Sequence, residues 1–297
     1  MNRNTYILLG IVLVLVLVAF LVMQKPGEQS STGTSGEFLA SVDSLSVDKI
    51  EIKSPNSNVV LERRGVEWYL QHPISCRADQ ANVASLIQQS KNLEIKSVVS
   101  SKPEKQSVFQ VDSTGTLVKI YEKGAEKSSF VIGKGGASYS ETYARRSNSN
   151  DVVLVGNAMS YVFNRPVKEW RDRTIFITPK ENIKEITFQF GDTTFVLMFK
   201  DSLWLIGSDS TQQWVVDNLL SSLSNFQADE FVDTPPTPAP KINAMVSSGG
   251  VQLSFSYVKE GDKYYVRSST SPQWYEVQSW RANQVLKRKK EILKSGT

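Results

Sequence analysis

The sequence predicts an α+β protein: an N-terminal transmembrane helix followed by two similar lobes of antiparallel sheet packed on helices, in the order A–B–A′–B′. Three observations lead there. Residues 6–23 are an apolar run without a charge. A series of strand, turn, strand, tryptophan and helix occurs twice at nearly constant spacing. The remaining composition is that of a globular chain, with 40% hydrophobic and 22% charged residues in 297.

The run from Tyr6 to Met23 is eighteen residues long. As a helix rising ~1.5 Å per residue it spans roughly 27 Å, close to a bilayer core of about 30 Å. Tyr6, Leu9, Leu13, Leu17, Phe20 and Met23 are its candidate anchoring side chains. The run ends in Phe20-Leu21-Val22-Met23-Gln24, without the small-x-small pattern of a cleavage site, so it reads as an uncleaved signal anchor. Arg3 precedes it, which keeps the short amino end in the cytoplasm and places the bulk of the chain outside the cytoplasmic membrane. Residues 1–24 are thus a cytoplasmic start and anchor, and the Gly/Ser/Thr-rich residues 25–40 a flexible tether.

The repeat is visible residue by residue. At an offset of 136, Lys49-Ile50-Glu51-Ile52 falls on Glu185-Ile186-Thr187-Phe188, Val60-Leu61 on Val196-Leu197, and Trp68 on Trp204. At 133, the helical face Val83, Leu86, Ile87 and Leu93 falls on Val216, Leu219, Leu220 and Phe226, and Val98-Val99 on Phe231-Val232. At 122, Tyr143-Ala144-Arg145 falls on Tyr265-Val266-Arg267, and Val153-Leu154-Val155 on Tyr275-Glu276-Val277. This spacing predicts a first lobe at residues 41–165, a connector at 166–181 and a second lobe at 182–297. A proline-rich spacer at 234–240 separates the halves of the second lobe.

Candidate chemistry is sparse. One Cys and one His exclude an internal disulfide framework and the usual zinc cages. His72 and Cys76 share a loop, yet the matching loop of the second copy, Gly207–Thr211, has neither, so the fold does not need them. Gly133-Lys134-Gly135-Gly136 follows a strand but meets neither the P-loop nor the dinucleotide pattern, and reads as a turn. Acidic residues lack paired-carboxylate or calcium-loop spacing. No catalytic, cofactor-binding or metal-ligating set is assigned. Arg171-Asp172-Arg173 in the connector is a candidate partner contact, set against a structural ion-pair role. The net charge is +4, but residues 281–294 alone carry +5, so the rest is slightly acidic and does not suit nucleic acid.

In their order, several motifs resemble a bacterial family known as domain of unknown function 4340. They are the short anchor, the strand pair ending in Trp68, the helix within Arg77–Ile87 (RADQANVASLI), the connector Arg171–Ile175 (RDRTI) and the second strand–Trp–helix unit closing in Ala228–Asp233 (ADEFVD). The resemblance covers most of residues 1–235. The second copy departs in having Trp214-Val215-Val216 where the first has Ala81-Asn82-Val83. The resemblance implies an envelope protein without family catalytic positions, whose genes stand beside ABC-type transport components similar to those linked with gliding motility. The expected function is therefore a non-catalytic, membrane-anchored accessory or scaffold protein, with the bilayer and ABC-type transporter subunits as partners. A module binding envelope glycans or peptides is the alternative, with Trp274, Tyr275 and Trp280 as stacking surfaces. An envelope hydrolase ranks last.

Overall fold

Alternating apolar residues such as Ile50, Ile52, Val59 and Leu61 make strands with one buried face, and the mainly antiparallel α+β architecture follows from them. The computed structural model describes residues 37–156, 159–234, 237 and 241–294. The expected anchor at 6–23, the tether up to residue 36 and five residues of the 234–240 spacer lie outside the described residues. Among the described residues no helix is long and apolar enough to cross a membrane. Contacts divide the chain into two units after Arg171.

The first unit contains β1 (Phe38–Ser41), β2 (Val47–Ser54), β3 (Ser57–Arg64), β4 (Glu67–His72), β5 (Cys76–Arg77), α1 (Gln80–Ser90), β6 (Asn92–Ser100), β7 (Thr116–Glu122), β8 (Ala125–Gly135), β9 (Glu141–Arg146), β10 (Val152–Gly156) and α2 (Met159–Phe163). Its strands form one antiparallel sheet in the order β1-β6-β10-β9-β8-β7-β2-β3-β4-β5. A short 3₁₀ turn at Val167–Trp170 ends the unit.

The second unit contains β11 (Thr174–Ile177), β12 (Glu185–Phe190), β13 (Thr193–Lys200), β14 (Leu203–Ile206), β15 (Asp209–Ser210), α3 (Gln213–Ser224), β16 (Asn225–Gln227), β17 (Glu230–Val232), β18 (Ala244–Ser248), β19 (Val251–Val258), β20 (Lys263–Ser268), β21 (Trp274–Gln278), α4 (Ser279–Val285) and α5 (Lys289–Ile292). Its main sheet runs β15-β14-β13-β12-β18-β19-β20-β21-β17, and β11 pairs with β16.

These orders match strand for strand, because β5-β4-β3-β2-β7-β8-β9-β10-β6 is the first sheet read from its other edge. Register matches as well. Ile50 faces Leu61 as Ile186 faces Leu197, and Val98 faces Val153 as Phe231 faces Tyr275. The long β6 pairs with β1 at its start and with β10 beyond it. In the second unit the same work is divided between β16 and β17.

Each unit has its own apolar core between sheet and helices. The helical faces read from the sequence lie in these cores: Val83, Leu86, Ile87 and Leu93 in one, Val216, Leu219, Leu220 and Phe226 in the other. Trp68 and Trp204 are each 7% exposed. The first unit also has a small cluster on the other side of its sheet, where Val111 packs with Val131 and Val152. Gly133-Lys134-Gly135, read from the sequence as a turn, is instead the end of β8, and Gly133 has its own reason there. A side chain at Gly133 would come within 2.2 Å of the Phe109 carbonyl oxygen, so the passing backbone leaves no room for one.

The solvent-facing side of β2 and β7 carries a ladder of charges. Lys49 meets Glu51 at 2.6 Å and lies 4.5 Å from the centre of the Tyr121 ring, while Tyr121 donates its hydroxyl proton to Glu51 at 3.2 Å. The hydrogen bond from Lys49 holds the Glu51 carboxyl below its ordinary pKa. A carboxyl with a lower pKa folded than unfolded adds stability above the unfolded value and loses it as the pH falls through the folded one. Glu51→Gln is therefore expected to flatten the acid side of the stability profile. Urea midpoints measured from about pH 6 down to about pH 3 should fall less steeply for the variant than for the parent.

Candidate functional site

The two residues ahead of α1 organise one end of the first unit. Ala78 donates its backbone N–H to the Trp68 carbonyl at 2.9 Å, and Asp79 donates to the Trp170 carbonyl at 2.9 Å. Ala78 also bridges to Arg171. Three side chains lock this arrangement. Gln80 donates to the Trp68 carbonyl at 2.9 Å and accepts from the Trp68 N–H at 2.9 Å. Asp79 caps the helix by accepting from the Asn82 N–H at 2.8 Å, and Asn82 donates to the Glu169 carbonyl at 2.6 Å. The helix start is thus held between the tryptophan strand and the segment that closes the unit. That closing segment, residues 166–171, belongs to the first unit rather than standing free of it.

The same clamp forms in the second unit with other residues. Thr211 Oγ1 donates to the Trp204 carbonyl at 2.7 Å, Gln212 donates its N–H to the Ile292 carbonyl at 2.8 Å, and Thr211 bridges to Leu293. Trp170 and Ile292 are therefore equivalent, at the offset of 122 that relates the later halves of the repeat.

Beside the closing segment the first unit has a cleft of about 580 Å³. Its walls are the β2–β3 turn from Ser54 to Ser57, Thr114 and Thr116 leading into β7, and the stretch from Phe163 to Val167 with Trp170. The repeat explains why the space is there. Ile52, Ser54 and Val59 correspond to Phe188, Phe190 and Phe195 at the offset of 136. In the second unit those three rings stack, with Phe188 and Phe195 centred 4.9 Å apart and the Arg288 guanidinium 3.7 Å from the Phe190 ring. Smaller side chains at the same places in the first unit leave the cleft open.

Two polar side chains of the cleft, Arg165 and Trp170, can only donate hydrogen bonds. Trp170 is fully buried, and its Nε1 has no hydrogen-bond partner among the described residues. The same holds for Nε of Arg165, whose side chain is 11% exposed, and for Oγ of Ser57. The Arg165 guanidinium lies 5.1 Å from the Tyr161 ring and 6.0 Å from that of Trp170, and its Nη1 meets Glu169 at 3.3 Å. Thr116 hydrogen-bonds Asn164 across the cleft wall. The lining contains no Asp, Glu, His, Cys or Lys, so it holds no pair of groups able to exchange a proton with a substrate.

The residues singled out from the sequence lie elsewhere. Arg171 is 4% exposed, held at its backbone against Ala78. Asp172 accepts from the Thr174 N–H at 2.9 Å, and the Arg173 carbonyl accepts from Ala228 at 2.8 Å. The anchor residues Tyr6, Leu9, Leu13, Leu17, Phe20 and Met23 are outside the described residues. Cys76 packs against the first core, and His72 lies at the exposed end of β4. Trp274 and Tyr275 alternate along β21, so they face opposite sides of the sheet, with Tyr275 in the core. Arg145 and Arg267 hold equivalent strand positions but act differently. Arg145 donates to the carbonyls of Val111 and Ser149, whereas Arg267 lies 5.9 Å from the Trp274 ring. In the basic tail, Arg288 covers Phe190 and Lys289 meets Asp209 at 3.5 Å. Among the described residues no cluster of His, Cys, Asp and Glu could hold a metal ion.

Sequence reasoning missed Ser54, Ser57, Arg165 and Trp170. The signal was available in the repeat, in the positions where small residues stand opposite phenylalanines.

The family model described as Domain of unknown function (DUF4340) matches residues 68–245, more than half of the chain. The chain belongs to this family. The DUF4340 match starts at Trp68, the clamped tryptophan of the first unit, and ends in β18 of the second, so it takes in Trp170, Trp204 and both long helices. No curated protein and no solved structure matches the chain.

Gln80→Ala removes both side-chain bonds to the Trp68 backbone. At ~1 kcal/mol for each hydrogen bond lost, urea denaturation should show a stability lower by about 2 kcal/mol. A change within about 0.5 kcal/mol would mean that the clamp does not depend on this side chain.

Proposed function

We propose that this chain is a membrane-anchored, extracytoplasmic accessory protein that works by binding, as a scaffold for an ABC-type transport complex. The observation that carries the binding part of this reading is the make-up of the cleft. Its walls combine apolar side chains with buried groups that can hydrogen-bond a ligand. The uncharged run Tyr6–Met23 supports the anchor, with its transmembrane helix in the bilayer and residues 25–297 on the outer side. Membership of the DUF4340 family, together with the transporter gene context implied by the resemblance, supports the choice of partner. Asp172 and Arg173, both half-buried, remain the candidate partner contacts of the Arg171–Arg173 set, whereas burial makes Arg171 the least suited. The matching strand orders support a duplicated sheet-and-helix unit as the origin of the fold.

A second reading, a ligand-binding module, is favoured by the cleft itself. The stacking surface expected of Trp274, Tyr275 and Trp280 is not formed as a set, because Tyr275 is buried and Trp274 faces the other side of the sheet, although Trp280 is exposed.

Mild detergent extraction of the tagged full chain tests the accessory role. ABC-type transporter subunits are expected to co-purify in stoichiometric amounts. Recovery of the chain without them would overturn the assignment.

A further inference from the structure

The two units share a topology, yet one has a hole where the other has a plug. In the second unit, Phe190 and Phe195 fill the space beside the closing segment, and Arg288 lies over Phe190. In the first, Ser54 and Val59 hold the corresponding positions, and Pro166 that of Arg288. A fold that closes this space in one copy does not require it open in the other. The open copy also keeps Trp170 Nε1, Arg165 Nε and Ser57 Oγ away from water and unpaired among the described residues. Buried donors left without acceptors are costly, and structures rarely tolerate several together.

We propose that the cleft of the first unit binds a carboxylate carried on an apolar body. The carboxylate accepts from Arg165 Nε–H and Trp170 Nε1–H, and the body lies against Ile52, Val59, Phe163 and Val167. The chemistry of the lining selects this class. Indole and guanidinium nitrogens only donate, so the ligand must bring acceptors. No lining carboxylate is present to hold an ammonium group or a metal ion. Glu169 already shares the charge of Arg165 at 3.3 Å, which suits a monoanion better than a phosphate dianion. The volume of about 580 Å³ is that of an ordinary small-molecule pocket. Because the unpaired nitrogens have no contact with solvent, entry requires the Arg165 side chain to turn. Tyr161, one of the two rings it lies against, is exposed, and its partner Glu169 is half-buried.

This proposal rests on the reading that the chain acts by binding, and its test is separate from co-purification. The full chain, labelled with 5-fluorotryptophan and held in lipid nanodiscs, is titrated with 4-phenylbutyrate while the ¹⁹F signal of Trp170 is followed. Trp170→Phe assigns that signal. A saturable shift is expected with 4-phenylbutyrate, at least about tenfold weaker binding with 4-phenylbutyramide, and no shift with inorganic phosphate. Ser54→Phe, which copies the plug of the second unit, should abolish the shift while the other tryptophan signals stay in place. If Ser54→Phe does not fold, Arg165→Gln supplies the comparison and should weaken binding at least about tenfold. An unmoved Trp170 signal, equal binding of the amide, a response to phosphate alone, or full binding by the folded variant would each overturn the proposal. A chain that recruits transporter subunits but leaves the Trp170 signal unmoved would overturn this proposal and not the accessory role.

Discussion

Two residues ahead of a helix hold each unit of this protein together. In the first unit, Ala78 bonds the strand that carries Trp68 and Asp79 bonds the closing segment at Trp170. In the second, Thr211 and Gln212 do the same for Trp204 and Ile292. The constraint is one of satisfaction. Helix starts present backbone N–H groups without helical partners, and buried ones must find acceptors elsewhere. Here the acceptors come from segments distant in sequence, so satisfying the helix start also closes the unit. The two solutions use different side chains, Gln80 and Asp79 in one copy and Thr211 and Gln212 in the other. The geometry has been kept while the chemistry that holds it has changed.

Closure has a consequence for function. It brings the stretch from Phe163 to Trp170 against the β2–β3 turn, and what fills the gap depends on a few inward-facing positions. Phenylalanines there give the second unit a stacked aromatic plug, while Ser54 and Val59 leave the first unit a cleft with buried donors on its walls. The shared features of the two units serve packing, and the candidate site lies where they differ. This division also accounts for the tail from Lys287 to Lys290. Its Arg288 and Lys289 are tied into the second unit at Phe190 and Asp209.

Much of the fold was legible because period and duplication are strong signals. Val83, Leu86 and Ile87 recur as Val216, Leu219 and Leu220 on one helical face, and both sets are buried. The offset of 136 placed Trp68 on Trp204, and both occupy the third strand of the same four-strand run. The closing segments were harder to read. Val167–Trp170 and Lys289–Ile292 are too short to show a period of their own. The cleft was harder still, since a cavity is a property of volume that no single residue announces. Only the comparison of Ser54 with Phe190, and of Trp170 with Ile292, marks it.

The clamp can be measured at the two amides that form it. In the full chain, hydrogen exchange at the Asp79 and Gln212 N–H groups reports whether closure is part of each unit's cooperative core. Protection at these amides should equal that of the central strand amides of the same unit, such as those of Ile50 and Ile186. Exchange orders of magnitude faster than in those strands would show that the closing segments open on their own, and would contradict the account.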